Sequence, residues 1–355
     1  MGASSIRVLI IDDSVFMRSM LKAALEKEPG VEVIGTAQNG LDGLAKIASL
    51  KPDVITLDVE MPGLTGLEVL ERVMKASPLP IVMVSTKTQE GAEATLQALQ
   101  LGAVDYVAKP LGEKSATLES FRGKVVHAVR TAAASNRKRL GKPPVPIKRP
   151  VAAGELSMDV VVAIGISAGG PATLHEMMPA FPKKFPPIVI TQHMPADFTG
   201  PFAKRLGAVT QIEVMEATSN VELRPGMALI APGDRHLRVA RLSSRLVAQI
   251  DAGPKVSGFR PSVDVLFESV ATAARDRVVG VVMTGMGHDG SVGVQILKKA
   301  GGYTIAQDEA SSVVYGMPKA AAATGCIDRV AALGDIPTAI TEAVRSMSAA
   351  AHANA

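Results

Sequence analysis

One cysteine, Cys326, stands among 355 residues, so no internal disulfide framework holds this chain together. That usage suits a reducing compartment. Cys326 fits a small buried filler better than a nucleophile. There is no run of about 18 or more uncharged apolar residues, which excludes an ordinary membrane-spanning helix. The N-terminus lacks the basic segment and long apolar stretch of a secretion signal. These absences together point to the cytoplasm and to a chain that is not membrane-inserted. An excess of one charge is missing too: 38 Lys+Arg against 34 Asp+Glu leaves +4, too little to call for a nucleic-acid partner. Acidic residues are wholly absent from 130–150, where Arg130, Arg137, Lys138, Arg139, Lys142, Lys148 and Arg149 alternate with Pro143, Pro144, Pro146 and Pro150. That stretch reads as a basic, semi-rigid linker.

What is present is globular: 47% apolar and 20% charged residues, in a chain too long for one typical core. The expected division is a first domain over 5–129, the linker over 130–158 and a second domain over 159–346. In the first, strand-like runs at 6–11, 31–37, 54–57, 81–84 and 104–107 alternate with helical patterns at 15–27, 41–50, 66–76, 92–101 and 116–129. Five β/α repeats imply a parallel sheet covered on both faces. Gly30 and Gly102 stand where helix C-caps belong. In the second, further strands are expected at 212–216, 228–230, 246–250 and 303–306, and helices at 171–179, 263–275 and 291–300. A hairpin over 237–250 interrupts this α/β pattern. The alanine-rich end, 349–355, is expected to fray.

Three apolar runs of the second domain each deliver one reactive side chain: Asp159-Val-Val-Val-Ala-Ile-Gly-Ile-Ser167, Pro187-Ile-Val-Ile-Thr-Gln-His193 and Val278-Val-Gly-Val-Val-Met-Thr-Gly-Met-Gly-His-Asp289. Short β-branched runs of this kind are buried parallel strands. Sites in such sheets lie beyond the carboxyl ends of the strands. Ser167, His193 and Asp289 would then meet as nucleophile, base and orienting group. The small neighbours Gly165, Gly169 and Gly170, followed by Pro171, allow a sharp turn into a helix and leave backbone N–H groups free for an oxyanion. Gly165-x-Ser167-x-x-Gly170 is also a near miss to a dinucleotide loop, but the acidic ribose ligand expected about 20 residues on is missing. His288 is a rival base, though its neighbour Asp289 points in a different direction. A metal site from His193, His236, His288 and Asp289 has no His-x-x-x-His or Cys-x-x-Cys spacing behind it.

In the first domain, Asp12 and Asp13 follow the first strand and Asp58 the third. Three carboxylates on one rim repel one another unless a hard cation such as Mg²⁺ sits among them. Ser85 and Lys109, at the ends of the fourth and fifth strands, could contact a phosphoryl group carried by one carboxylate.

Ile11-Asp-Asp-Ser14, Asp58-Val-Glu-Met-Pro62 and Lys109-Pro110 resemble the receiver domain of two-component response regulators, a five-stranded flavodoxin-like fold. The resemblance implies phosphorylation of Asp58 by a histidine kinase. It implies Mg²⁺ held by Asp12, Asp13, Asp58 and the backbone carbonyl of Glu60, phosphoryl contacts from Ser85 and Lys109, and a switching ring at Tyr106. Thr65 stands where an aspartate is common and keeps the helix-capping chemistry.

Gly165-Ile-Ser-Ala-Gly-Gly170, Thr191-Gln-His-Met-Pro195, Arg260-Pro-Ser-Val-Asp264, Thr284-Gly-Met-Gly-His-Asp-Gly290 and Tyr315-Gly-Met-Pro318 resemble the chemotaxis protein-glutamate methylesterases, whose catalytic domain is doubly wound α/β. Receiver, linker and catalytic domain in that order is their architecture. The resemblance implies hydrolysis of glutamate γ-methyl esters on the cytoplasmic helices of methylated chemoreceptors, activated by phosphorylation from a chemotaxis histidine kinase. Ser167, His193 and Asp289 match the triad, with N–H groups of Ala168, Gly169 and Met286 as oxyanion donors. No cofactor is needed for the ester chemistry; Mg²⁺ belongs to the receiver. The same site is open to glutamine side-chain amides. Ala168 replaces a threonine that supports the histidine in some members. Two other readings remain at this level: a receiver-controlled DNA-binding regulator, supported by the basic linker alone, and a non-catalytic receptor-binding module.

Overall fold

The computed structural model describes residues 5–86, 88–110, 115–143, 145–148 and 156–353. Pro144, Arg149, Pro150, Asn354 and Ala355 lie outside that set. The chain divides into two compact units, Met1–Pro143 and Pro144–Ala355.

The first unit alternates β1 (Ile6–Ile11), α1 (Val15–Glu26), β2 (Val31–Ala37), α2 (Gly40–Leu50), β3 (Val54–Asp58), α3 (Gly66–Ala76), β4 (Ile81–Ser85), α4 (Gln89–Gln100), β5 (Asp105–Ala108) and α5 (Ser115–Ala133). Its sheet runs β2-β1-β3-β4-β5, all parallel. All five residues of β3 and of β4 are buried, which is why these runs are mostly apolar rather than alternating. The strand order reverses between β1 and β3, so the crevice opens where Asp12 and Asp58 stand. Gly102 takes the left-handed conformation directly after α4's cap, Leu101. Gly30 is left-handed too, but it belongs to the turn into β2, because α1 already ends at Lys27.

The basic stretch is not bare. α5 runs to Ala133, and Arg130 pairs with Glu28. Arg137 pairs with Asp53, and Leu140 is buried in the first unit. Lys148 pairs with Asp335 inside the second unit.

The second unit contains β6 (Val161–Ile166), α6 (Gly170–Met177), β7 (Ile188–Gln192), α7 (Ala196–Gly207), β8 (Glu213–Glu216), β9 (Met227–Ile230), β10 (His236–Leu242), β11 (Arg245–Asp251), α8 (Val263–Ala274), β12 (Val278–Val282), α9 (Ser291–Lys299), β13 (Tyr303–Gln307), α10 (Met317–Ala323), β14 (Arg329–Ala331) and α11 (Ile336–Ala353). Seven strands pair in the order β14-β13-β12-β6-β7-β9-β8, all parallel. β10 and β11 form the expected antiparallel hairpin. The switch point lies between β12 and β6, so the ends of β6, β7 and β12 are neighbours. α11 continues to Ala353, where the sequence alone suggested fraying from 349.

The loop that carries Asp58 is held by close packing. α3 begins with a capping box: Thr65 Oγ1 accepts from Glu68 N–H, and Glu68 Oε2 accepts from Thr65 N–H. At the next position a Cβ on Gly66 would lie 2.0 Å from the carbonyl oxygen of Asp58. That oxygen is backbone and cannot swing away. Gly66→Ala should therefore destabilise the first unit by roughly 1–3 kcal/mol, the usual cost of overpacking. The expected readout is reduced amide-exchange protection across β1 and β3, with the second unit's protection unchanged.

Candidate active site

β6 ends at Ile166 and the chain turns at once. Ser167 N–H donates to Thr284 O (2.9 Å), and Gly170 N–H donates to Ser167 O (2.8 Å). Gly169 is left-handed (φ 73°) and opens α6. The glycines predicted to allow this turn each have a distinct contact. A Cβ on Gly165 would stand 2.2 Å from Val263 Cγ1, and one on Gly170 2.0 Å from Gln192 Oε1. A Cβ on Gly285 would stand 2.7 Å from Ser167 Cβ, so only glycine lets the β12 loop pass the serine.

His193 follows β7 directly. Its Nδ1 lies 3.1 Å from Ser167 Oγ, and its Nε2 lies 2.8 Å from Asp289 Oδ2. The tautomer consistent with both contacts carries its proton on Nε2, donated to Asp289, leaving Nδ1 to accept from Ser167. The His193 side chain is only 6% exposed and Asp289 is fully buried. The ring stacks on Phe259, centroids 3.8 Å apart and planes at 6°. Gln192 Nε2 donates to the carbonyls of both Ser167 and His193, tying the two loops together.

Asp289 is surrounded by donors. Oδ1 accepts from Ser262 Oγ (2.8 Å) and Asp264 N–H (3.0 Å); Oδ2 accepts from Val263 N–H (2.8 Å) as well as from His193. Burial acts to raise its pKa. The hydrogen bond from His193, with the N–H groups of Val263 and Asp264, outweighs burial and holds it below the ordinary carboxylate range. Asp264 caps α9 through Gly290 and Gly293 N–H; burial and the nearby Asp289 push its pKa up.

The rival assignments separate cleanly. His288 is exposed. His236 is buried, and both ring nitrogens are engaged: Nδ1 accepts from Ser262 N–H (3.2 Å), and Nε2 donates to Pro254 O (2.9 Å). His193 is likewise committed through both nitrogens. The four-residue metal alternative has no ring nitrogen of His193 or His236 to offer. Among the described residues, the N–H groups of Ala168, Gly169 and Met286 donate to no protein acceptor.

Phe259, Ser262 and His236 are supporting residues that sequence reasoning missed, and Gln192 is a fourth. The Arg260-Pro-Ser-Val-Asp264 and Thr191-Gln-His motifs held two of them. Their roles depend on which loops meet, which no spacing records.

In the first unit, Asp12, Asp13 and Asp58 bring carboxylate oxygens within 4.8 Å of one another. Asp12 and Asp58 are buried, and Asp13 is exposed. Lys109 Nζ lies 2.7 Å from Asp58 Oδ2 and 3.2 Å from Asp12 Oδ2. Asp12 Oδ2 is buried and accepts no well-directed hydrogen bond. An all-oxygen donor set, in which buried Asp12 Oδ2 has the Lys109 ammonium nearby but accepts no well-directed hydrogen bond, fits a hard divalent cation such as Mg²⁺. Glu60 N–H donates to Asp58 Oδ1 (3.3 Å), which brings the Glu60 backbone to the same pocket. Ser85 is buried, and its hydroxyl donates to backbone carbonyls at Thr86 and Gly91 rather than to Asp58. Tyr106, on β5, is half-buried.

Comparison with known proteins covers both units. A family model described as CheB methylesterase matches residues 162–340, and one described as response regulator receiver domain matches residues 8–119. A protein-glutamate methylesterase/protein-glutamine glutaminase of Chromohalobacter salexigens is 43% identical over 342 residues, 96% of each chain. One from Caulobacter vibrioides is 46% identical over 344 residues, covering 96% of this chain and 98% of its own. The crystal structure of the Thermotoga maritima CheB methylesterase catalytic domain is 38% identical and covers 52% of this chain and 97% of its own, with a TM-score of 0.51.

The acidic pocket makes a pH prediction. Burial, opposed by the Lys109 hydrogen bond and reinforced by Asp12, pushes Asp58 from 3.8 to about 6. The folded state therefore binds more protons than the unfolded state between those values. Stability falls as pH rises through that window, and the cost is fully present above it. Asp58→Asn removes the cost. In metal-free buffer it should stabilise the first unit at pH 7 by roughly 1–3 kcal/mol, with the gain fading below about pH 4. Urea titrations followed on first-unit resonances at several pH values check this; a gain independent of pH would contradict it.

Proposed function

The chain belongs to the CheB methylesterase family, and from that membership we propose that it is a receiver-controlled enzyme hydrolysing glutamate γ-methyl esters on chemoreceptors. The observation that carries this reading is the hydrogen-bonded series Ser167 Oγ, His193, Asp289. The geometry supports the following roles. His193 Nδ1 takes the Ser167 proton as Oγ attacks the ester carbonyl. The N–H groups of Ala168, Gly169 and Met286 are the proposed donors to the developing oxyanion. His193 returns the proton to the departing methoxide, so methanol leaves and an acyl-serine remains. Water then attacks, giving up its proton to His193. The C–O bond to Ser167 breaks, the proton goes back to Oγ, and glutamate is released. Asp289, held as an anion, accepts a hydrogen bond from Nε2–H and stabilises the imidazolium during each transfer.

The relatives' names pair methylesterase with protein-glutamine glutaminase activity. We extend both to this chain, since a side-chain amide presents the same acyl carbon and ammonia replaces methanol as the leaving group.

In the receiver, Asp58 is the proposed phosphoacceptor, with a chemotaxis histidine kinase as donor. Asp12, Asp13, Asp58 and the Glu60 carbonyl would hold Mg²⁺, which when bound offsets the negative charge gathered there. Lys109, already paired with Asp58, would stay to bind a phosphoryl oxygen. Ser85 would have to exchange its backbone acceptors for one, and Tyr106 would move with that exchange. The proposed setting is the cytoplasm; among the described residues no helix is long and apolar enough to cross a membrane.

Methanol release from methylated receptor tests the reading. Ser167→Ala should lower turnover by on the order of 10⁴-fold, and retention of more than about a tenth of wild-type turnover would sink the serine mechanism. His193→Gln should be as inactive, whereas His288→Gln should stay close to wild type; the reverse pattern would overturn the base assignment. Asp58→Asn should keep basal release but lose stimulation by a small phosphodonor. Stimulation that survives in Asp58→Asn would remove this aspartate from the control.

A further inference from the structure

We infer that Ser262 and His236 are positioning residues for this hydrolysis, orienting the Asp289 carboxylate and, through it, the His193 ring. The inference rests on the esterase reading above and adds to it a layer of control over the base.

Asp289 is fully buried, so both of its oxygens need donors. Three of its four donors come from one turn, Ser262–Val263–Asp264, at the start of α8. That turn fixes where the carboxylate plane lies, and hence where Oδ2 meets His193 Nε2. Ser262 is its first residue and acts in two directions. Its hydroxyl donates to Asp289 Oδ1, while its N–H donates to His236 Nδ1, on a strand 26 residues earlier in the chain.

His236 can accept from Ser262 only when Nδ1 is unprotonated. Its other nitrogen, 2.9 Å from Pro254 O, carries the proton there. Both ends of the ring thus select the same neutral tautomer. The ring is 1% exposed, and neither nitrogen is left for any other role. Neither residue reaches Ser167. Their effect on the reaction passes through Asp289, as the partners of a ligand or base usually act.

Losing the Ser262 hydroxyl leaves Oδ1 with one donor fewer and lets the carboxylate rotate away from His193. The chemical step should suffer, and substrate binding should not. The test uses the full-length protein and follows methanol release from methylated receptor, together with the downfield proton resonance of His193 Nε2–H. Ser262→Ala should lower kcat roughly 10- to 100-fold, leave KM within about twofold and move the resonance. An unchanged kcat, or a lower kcat with an unmoved resonance, would overturn the assignment of Ser262. For His236, asparagine places an acceptor oxygen where Nδ1 stands, whereas leucine does not. His236→Asn should keep more kcat than His236→Leu and shift the resonance less; equal effects would overturn its part. Wild-type protein that releases no methanol would sink the esterase reading. The resonance would then still decide whether Ser262 orients the imidazole.

Discussion

Burying a carboxylate without a full set of donors is costly, and that constraint organises the second unit. Asp289 is fully buried beside the β12–α9 turn, and three of its four donors come from the first turn of α8. The N-terminus of a helix suits an anion because its first N–H groups lack intrahelical partners. For that helix end to arrive, its β-branched Val263 must pass between two strand-end loops. A Cβ on Gly165 would be 2.2 Å from Val263 Cγ1, and one on Gly290 would be 2.9 Å from it. Two glycines that look like catalytic punctuation are thus also clearance for the helix that neutralises Asp289.

Placing Ser167, His193 and Asp289 on one rim needs nothing more than strand order. β6 pairs with both β7 and β12, so the three chain ends are adjacent. This much was legible from short β-branched runs, each followed by a helical pattern, and the receiver pocket was legible for the same reason. α7 was less so. It contains Gly200 and Pro201, which argue against a helix interior, yet Phe198, Phe202 and Leu206 bury one face strongly enough to prevail. The roles of the supporting residues were not legible, although Ser262 lay in a quoted motif. Phe259, Ser262 and His236 come from loops and a hairpin whose arrival at the site is a tertiary event. A histidine paired with a backbone carbonyl and a serine N–H leaves no spacing signature in the sequence.

Ala168 shows how the tertiary structure can answer a sequence-level concern. A threonine there would help support the histidine ring. Instead, the ring lies flat on Phe259, and Asp289 fixes its Nε2 edge. Gln192, directly before the histidine, binds its carbonyl and that of Ser167. The plane, one edge and the backbone are therefore held by three different elements, and no single side chain next to the serine is needed.

The two units use buried strand-end aspartates for opposite purposes, and the donors around each explain the difference. Asp289 collects two N–H groups, a hydroxyl and an imidazole, enough to keep it below the ordinary range despite burial. Asp58 has one long backbone contact, from Glu60, and the Lys109 ammonium, while Asp12 stands close with a like charge. Burial, which these contacts do not offset and Asp12 reinforces, therefore raises its pKa to about 6. An anion satisfied from every side suits a permanent partner that keeps one proton on one nitrogen. A carboxylate short of donors and pressed by its neighbours is stabilised by whatever brings positive charge, or a new set of contacts, into the pocket. The first arrangement makes a constant base, and the second makes a site whose state depends on what is bound there.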